Sequence, residues 1–420
     1  MEKSARITAP IVTITRRGAD RIRAGHVWVY RSDVVEAKDI PPGALVTVNE
    51  VGGRGRPHTH LLGSAFYSTA SEIAIRMISP KPVADVETLV RERVRAAIAY
   101  RERFVQNTNA YRVIFSEGDF LPGLIVDKYN DILSLQVLTQ AWDSEEMRHV
   151  FLSELQQSLS PRAIFERVDP RVRKLEQLPE KESGAVWNAQ GSPTLAANGA
   201  AGMGHPQPEV GTEFQMNGVR FVYDALAGQK TGAFLDQREN YSAAAQYSRG
   251  EALDVFCYQG GFALHLARTC DKVTGVDSSR PALEAADQNA SLNGREIEWI
   301  EANAFDLLRD YSDAGRKYDS IVLDPPAFAK SRQNRETALR GYKELNLRAL
   351  KMLRPGGVLV TCSCSYHVSV ADMLELASSA AQDSHKILRI LENRGQAKDH
   401  PNVLGIPETA YLKCLISNVS

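Results

Sequence analysis

The stretch from Ala252 to Asp277, ALDVFCYQGGFALHLARTCDKVTGVD, constrains the fold more than any other part of the chain. A short apolar run, Leu253 to Phe256, passes through a turn at Gly260-Gly261 into a helical pattern of Phe262, Leu264, Leu266 and Ala267. A second apolar run, Val273 to Val276, ends on an acid, Asp277. Strand, glycine turn, helix, strand and terminal carboxylate make the nucleotide-binding half of a doubly wound sheet, in which ligands sit beyond the carboxyl ends of the strands. Asp277 is then placed to accept hydrogen bonds from both hydroxyls of a ribose.

The turn itself discriminates between ligands. A dinucleotide site requires G-x-G-x-x-G, because those glycines let the backbone approach a pyrophosphate. Here the segment from Asp254 reads DVFCYQGGF, with Phe256 and Tyr258 in the places of two glycines. Such a turn suits a nucleoside carrying a sulfonium and an amino-acid tail. The expected cofactor is therefore S-adenosylmethionine (SAM) and not NAD, lined by Asp254, Phe256, Tyr258, Gly260 and Asp277. Taken alone, the stretch is equally an ordinary buried αβ unit with a glycine turn. Two more strands answer that reading. Tyr318 to Leu323 leads to Asp324, followed by Pro325-Pro326, which stiffen the exit. Val358 to Val360, after Gly356-Gly357, runs into Thr361-Cys362-Ser363-Cys364-Ser365. Three strands thus deliver polar groups to one edge of one sheet.

In order along the chain, QKTGAFLDQR (229–238), DVFCYQGGF, VTGVD, DPPAFAKS, GYKELN and TCSCS resemble the RlmI-type family of class I SAM-dependent methyltransferases of large-subunit ribosomal RNA, which make 5-methylcytosine. The likeness covers most of the chain. Gly18 to Asp33, with GHVWVY inside it, resembles the opening of that family's PUA domain, and Ser116 to Tyr129 resembles its central domain. Asp399-His400-Pro401 and Tyr411-Leu412-Lys413 fit its C-terminal region. The resemblance implies an α/β, Rossmann-like class I methyltransferase domain over 209–420. A small β-rich, RNA-binding PUA domain over 1–80 and an α+β middle domain over 81–208 would precede it. It also implies SAM as cofactor and 23S ribosomal RNA as partner; a homodimer is a further candidate assembly.

Carbon 5 of cytosine is a poor nucleophile, so electrons must be pushed into the ring before it can take a methyl group. A thiolate adding to carbon 6 does this covalently. Cys364 matches the catalytic cysteine of the family's TxSCS motif, and Cys362, on the same face of a regular strand, is the lesser candidate. Asp324 would hydrogen-bond the cytosine edge and support protonation at N3. Phe328 would stack on the base or pack in the core, and Pro325, Pro326, Lys330, Arg332 and Arg335 complete the expected substrate side. In the resembling enzymes 229–238 lies over the cofactor. Asp236, Gln237 and Arg238 are therefore candidates for the methionine end and for anchoring the loop, a helix N-cap being the other reading of Asp236. Asn303 is expected to hold the adenine amino group. One departure stands out: another cytosine-5 family carries a second cysteine directly after the prolines, which assists release, and here that position is Ala327. The base that removes the carbon 5 proton is thus unassigned. Methylation of a nitrogen such as guanine N7 is the runner-up, since Asp-Pro-Pro-x-aromatic serves nitrogen chemistry without a cysteine. A non-catalytic RNA-binding or assembly factor is the third reading.

With 420 residues and 43% apolar composition, the chain has enough material for two or three cores. No apolar run of about 18 residues is present, and MEKSARITAP lacks the apolar segment of a secretory signal, so a cytoplasmic protein is expected. Five cysteines without C-x-x-C spacing argue against a disulfide framework and a structural zinc, and no metal is expected. A net charge of −1 offers little to RNA. The charge is unevenly spread, however: Lys330, Arg332, Arg335, Arg340, Lys343, Arg348, Lys351 and Arg354 face only Glu336 and Glu344 between Ala329 and Pro355. Arg16, Arg17, Arg21, Arg23 and Arg31 are further candidate phosphate contacts.

Residues 1 to about 80 alternate short β-type runs with turns at Pro41-Pro42-Gly43 and Gly52-Gly53. Trp28 and Tyr30 are stacking candidates that equally suit a core. Val83 to Phe104 is helical, and Phe120 to Asp127, Ile132 to Val137 and Ala163 to Arg167 read as strands, with a helix over Met147 to Leu159. The stretch 183–208, rich in Gly, Ala and Pro, reads as a mobile insertion with an exposed His205. Asn217-Gly218 predicts a hairpin.

Overall fold

The structure, a computed structural model, describes residues 9–52, 60–188, 211–225, 232–329 and 332–420. His205, most of the 183–208 stretch, and Gln229, Lys230 and Thr231 lie outside the described residues. No helix among the described residues is long and apolar enough to cross a membrane.

The first unit is a six-stranded sheet in the order Trp28–Tyr30, Ile73–Ser79, His60–Tyr67, Leu45–Glu50, Ile11–Ile14, Val34–Glu36. Alternation of buried and exposed positions along Leu45–Glu50 is what a half-buried strand requires. A helix over Arg16–Arg23 was not expected, because RRGADRIR carries too few apolar residues to show a face; its N-cap Thr15 accepts from the Gly18 N–H. This helix redirects the arginines assigned to phosphate. Arg17 and Arg21 engage buried Asp33, Arg23 pairs with Glu50, and Arg31 donates to the carbonyls of Ser68 and Ser71. Four of the five are thus occupied within the fold, leaving Arg16 extended into solvent beside Asp20. Trp28 is likewise committed, its Nε1–H donating to Glu117 at 2.9 Å.

The second unit is a five-stranded sheet ordered Gly184–Asn188, Ala163–Glu166, Ile132–Val137, Leu124–Tyr129, Ala110–Phe115, covered by helices Val86–Phe104 and Glu145–Leu159. Two expectations change here. Phe120 is not in a strand but in left-handed backbone, φ 57°, after a tight turn at Ser116–Asp119. Gly184–Asn188, read as part of an insertion, is an edge strand antiparallel to Ala163–Glu166. The hairpin Gly211–Met216 and Val219–Asp224 turns at Asn217-Gly218, both with positive φ, as expected.

The third unit is a seven-stranded sheet. Its strands are β1 (Glu251–Val255), β2 (Lys272–Asp277), β3 (Glu298–Glu301), β4 (Tyr318–Leu323), β5 (Leu353–Ser363), β6 (Leu388–Arg394) and β7 (Lys413–Val419). They lie in the order β3-β2-β1-β4-β5-β7-β6, with β7 alone antiparallel to its neighbours. β1, β4 and β5 are buried on both faces, as continuous apolar runs in a helix-covered parallel sheet must be. The covering helices are α1 (Arg238–Tyr247), α2 (Gly261–Leu266), α3 (Arg280–Leu292), α4 (Ala304–Asp313), α5 (Arg335–Met352) and α6 (Val370–Asp383). Strand order reverses between β1 and β4, which opens the crevice where doubly wound sheets take ligands.

The second and third units meet at Asp399. Its carboxylate, fully buried, accepts from Arg238 Nη1 and Nη2 at 3.0 and 3.1 Å and from the Arg112 N–H at 2.8 Å. Its carbonyl accepts from Arg101 at 2.7 Å. Burial works against a charge here, yet His400 and Arg238 hold the acid well below the usual carboxylate range. Asp399→Ala strands a buried guanidinium and should cost about 3–5 kcal/mol of stability. Urea unfolding of the full chain checks this: a loss under 1 kcal/mol would show that the two units are held elsewhere.

Candidate active site

The chemistry-bearing groups gather at the carboxyl ends of β1, β2, β4 and β5. In the turn after β1, Phe256 and Tyr258 adopt φ 68° and 49°. Non-glycine residues in this left-handed region cost about 1–3 kcal/mol each and persist where surrounding structure fixes them. The fixing contacts are explicit. Phe256 and Cys257 donate their N–H groups to the Val276 carbonyl at 2.9 and 3.0 Å, and the Tyr258 N–H donates to Asp277 Oδ2 at 2.9 Å. The two aromatic residues therefore occupy glycine places with glycine-like backbone. Gly260, at φ 83°, closes the turn, and any Cβ there would meet the Trp299 ring at 3.0 Å.

Asp277 spends one lone pair of each carboxylate oxygen on the N–H groups of Tyr258 and Ser279, which leaves acceptor capacity on both. Asp254 is fully buried; Oδ2 accepts from Ala263 N–H at 2.8 Å, while Oδ1 has no partner. Burial first, then the charges of Asp324 and Asp277, raise its pKa well above the ordinary value. An orphaned buried acceptor is costly unless a ligand satisfies it. These residues fit a group with two ribose hydroxyls and a cationic amino-acid end.

The segment before α1 closes over this turn. Phe234 meets the Tyr258 ring edge-on at 4.9 Å, and Tyr241 donates to the Phe234 carbonyl. Asp236 is not a helix cap: Gln237 holds the N-cap position of α1, and Asp236 Oδ2 accepts from the Tyr411 hydroxyl at 2.6 Å. Arg238 has both Nη atoms occupied by Asp399, while its buried Nε has no partner. Its part is to anchor the loop. Gln237 is the member of this trio buried on the side of Asp324 and Cys362, where its amide opposes the upward shift of both, and its Oε1 accepts from Asn240 Nδ2 at 2.7 Å. Asn303 is exposed and caps α4, its Oδ1 accepting from Phe305 and Asp306 N–H groups. The acceptor expected to serve adenine is thus engaged by backbone.

On the other side, Leu323 pairs with Thr361, so Asp324 leaves the sheet opposite Cys362, two residues before Cys364 on the neighbouring strand end. Burial, with the negative charge of Asp236 behind it and Gln237 opposing, pushes the Asp324 carboxyl up to about 7. Cys364 is partly exposed. Cys362 is fully buried against Cys414 in the facing strand, and burial pushes its thiol far up; Cys257 is raised in the same way and Cys270 to about 11. Phe328 packs on Tyr342 with ring centroids 4.8 Å apart and on Phe305 at 5.9 Å, a core placement at the rim of the site. Pro325 is buried and Pro326 exposed.

Four members of the basic stretch are paired with acids. Arg335 pairs with Asp372 at 2.6 Å, Lys343 with Asp383, Arg348 with Asp313 and Glu344, and Arg354 with Glu251 and Asp319. Counting charges along the sequence missed these acids, Glu344 apart, because they come from other elements. Lys330 and the side chain of Arg332 lie outside the described residues. Sequence reasoning also missed the roles of Tyr342, Ser363, Ser365 and Lys413, which surround Cys364; the serines flanking the cysteine were the available sign.

The chain is similar to known proteins along almost all of its length. A family model described as S-adenosylmethionine-dependent methyltransferase matches residues 197–416, and a PUA-like domain model matches 12–80. The ribosomal RNA large subunit methyltransferase I of Tolumonas auensis is 36% identical over 400 residues, covering 93% of this chain and 94% of that one. Its namesake in Aeromonas hydrophila subsp. hydrophila is 34% identical over 421 residues, covering 98% and 99%. Among solved structures, a putative SAM-dependent methyltransferase from Streptococcus mutans superposes with a TM-score of 0.77 at 17% identity, covering 97% of this chain and 100% of that chain, which speaks for the fold alone. The strand order, the cofactor turn and these matches together place the chain in the family of SAM-dependent methyltransferases that includes the ribosomal RNA large subunit methyltransferase I proteins.

Proposed function

We propose that this enzyme methylates carbon 5 of a cytosine in large-subunit ribosomal RNA through a covalent adduct with Cys364. The observation that carries the reading is the pairing of two groups at adjacent strand ends: a partly exposed thiol, Cys364, and a carboxyl, Asp324, pushed up to about 7. The names of the relatives support ribosomal RNA as the substrate class.

SAM, when bound, supplies the electrophilic methyl group. Asp277 would accept from its ribose hydroxyls, and Asp254 Oδ1 would accept from its amino end, whose positive charge favours the ionised carboxylate. Phe234 and Tyr258, in edge-on ring contact at 4.9 Å, would shield that side of the cofactor from water. Asp324, protonated near neutrality, donates to N3 of the cytosine and draws electron density toward the pyrimidine nitrogen. Cys364 Sγ, as the thiolate, would then form a bond to carbon 6, and the displaced ring electrons would reach carbon 5, which would take the methyl group as its bond to the sulfonium breaks and the neutral thioether S-adenosylhomocysteine leaves. Loss of the carbon 5 proton and cleavage of the Sγ–C6 bond restore aromaticity and return the thiolate. A nitrogen methyltransferase would need none of the cysteine steps.

Three measurements test this. Asp277→Ala should weaken SAM binding by about 1–3 kcal/mol, the range for a lost charged hydrogen bond; titration calorimetry showing native affinity would move the ribose contact elsewhere. Since the protonated form of Asp324 is the donor, the single-turnover rate should fall as pH rises through about 7. Asp324→Asn, whose amide does not titrate, should be slower by roughly 10²-fold and lose that descending limb; a limb that persists belongs to another group. Finally, Cys364→Ala should abolish transfer while keeping SAM affinity, and the native enzyme should remain joined to 5-fluorocytosine RNA, because fluorine does not leave as a proton does. Methylation by Cys364→Ala at the native rate would favour nitrogen chemistry instead.

A further inference from the structure

Lys413 opens β7 directly opposite Ser363 and is 5% exposed. Its Nζ donates to the carbonyl of Ser365 at 2.6 Å and to that of Tyr411 at 2.8 Å. An ammonium has three N–H groups, so a third is left beyond these two bonds. The first of the two carbonyls belongs to the residue that follows Cys364.

The rest of the turn is equally constrained. Ser363 Oγ donates to the Tyr342 hydroxyl at 3.0 Å, that hydroxyl lies 3.0 Å from Ser365 Oγ, and Ser365 Oγ accepts from the Ala329 N–H at 3.2 Å. Residues on both sides of Cys364 are thereby tied to α5 and to the Asp324-Pro-Pro loop. The titratable groups packed around the turn are Tyr342 from α5, Asp372 from α6, Asp324 after β4, Cys362 on β5, and Cys414 and Tyr411 from the β7 side. Asp372 is held by Arg335, and the Tyr411 hydroxyl donates to Asp236. Burial brings Lys413 down to about 8, opposed by the charges of Cys364 and Asp372.

We propose that Lys413 is a positioning residue for Cys364, fixing the turn that presents the thiol and supplying the positive charge beside which it ionises. This rests on Cys364 being the nucleophile. A purely structural lysine would need only its hydrogen bonds, whereas this role needs the charge.

The test is the pH dependence of Cys364 alkylation by iodoacetamide in the full-length enzyme, followed on the Cys364 peptide by mass spectrometry. In Lys413→Met the midpoint should move to higher pH, with alkylation roughly tenfold slower near neutrality and SAM affinity retained. Lys413→Arg should restore most of the native profile. Should the Met variant fail to fold, Lys413→Gln is read the same way, because its amide keeps donors for the carbonyls without the charge. An unchanged profile in a SAM-binding Met or Gln variant overturns the proposal. The readout uses no RNA, so it is separable from the reading beneath it: a Cys364→Ala enzyme that still methylated cytosine would remove the nucleophile assignment and leave the alkylation result standing.

Discussion

A single buried carboxylate, Asp399, fixes the geometry on which the site depends. It receives Arg238 from the start of α1, the Arg112 backbone from the middle sheet, and stands beside His400. Buried ion pairs of this kind contribute little net stability against a hydrophobic alternative, because desolvation offsets the attraction, but losing one partner is expensive. What the arrangement provides is position. With Arg238 locked, Asp236 is held at the Tyr411 hydroxyl, where its charge raises the pKa of the Asp324 carboxyl and Gln237 opposes that rise. The acidity of the proposed N3 donor is therefore set partly by an ionic cluster at the boundary with the neighbouring unit.

The sheet contributes the other half of the arrangement. Parallel strands buried on both faces end together, and the acids in or just past their last residues keep polar capacity unspent. Asp254 retains an unpartnered oxygen, Asp277 retains lone pairs, and burial pushes the Asp324 carboxyl up to about 7. The left-handed turn at Phe256 and Tyr258 belongs to the same economy of space: it brings an aromatic ring, not a bare backbone, to the place where a dinucleotide fold would bring glycine.

Much of this was legible in the sequence, for identifiable reasons. Continuous apolar runs, the Gly260-Gly261 turn and the acids at strand ends are local patterns, and they lead to β1, β2, β4 and β5 and to the SAM fold. Partners distant in sequence are not local patterns. The helix Arg16–Arg23 has no apolar stripe, so its arginines read as free cations until Asp33 and Glu50 appear beside them. Arg335, Lys343, Arg348 and Arg354 read as a basic patch for the same reason, their acids outside the helix lying 35 to 103 residues away in the chain. Lys413 could not be placed near Cys364 before the antiparallel pairing of β5 with β7 was known. Asn303 shows the converse: its position after β3 is as read, while its oxygen serves the helix it begins.

The central claim is that carbon, not nitrogen, is the methyl acceptor. The most direct measurement is nucleoside analysis of large-subunit ribosomal RNA incubated with the purified enzyme and methyl-labelled SAM, with RNA taken from cells that lack the enzyme. The account predicts that the label elutes as 5-methylcytidine from a single position. Label recovered in a nitrogen-methylated purine, with none in 5-methylcytidine, would contradict it.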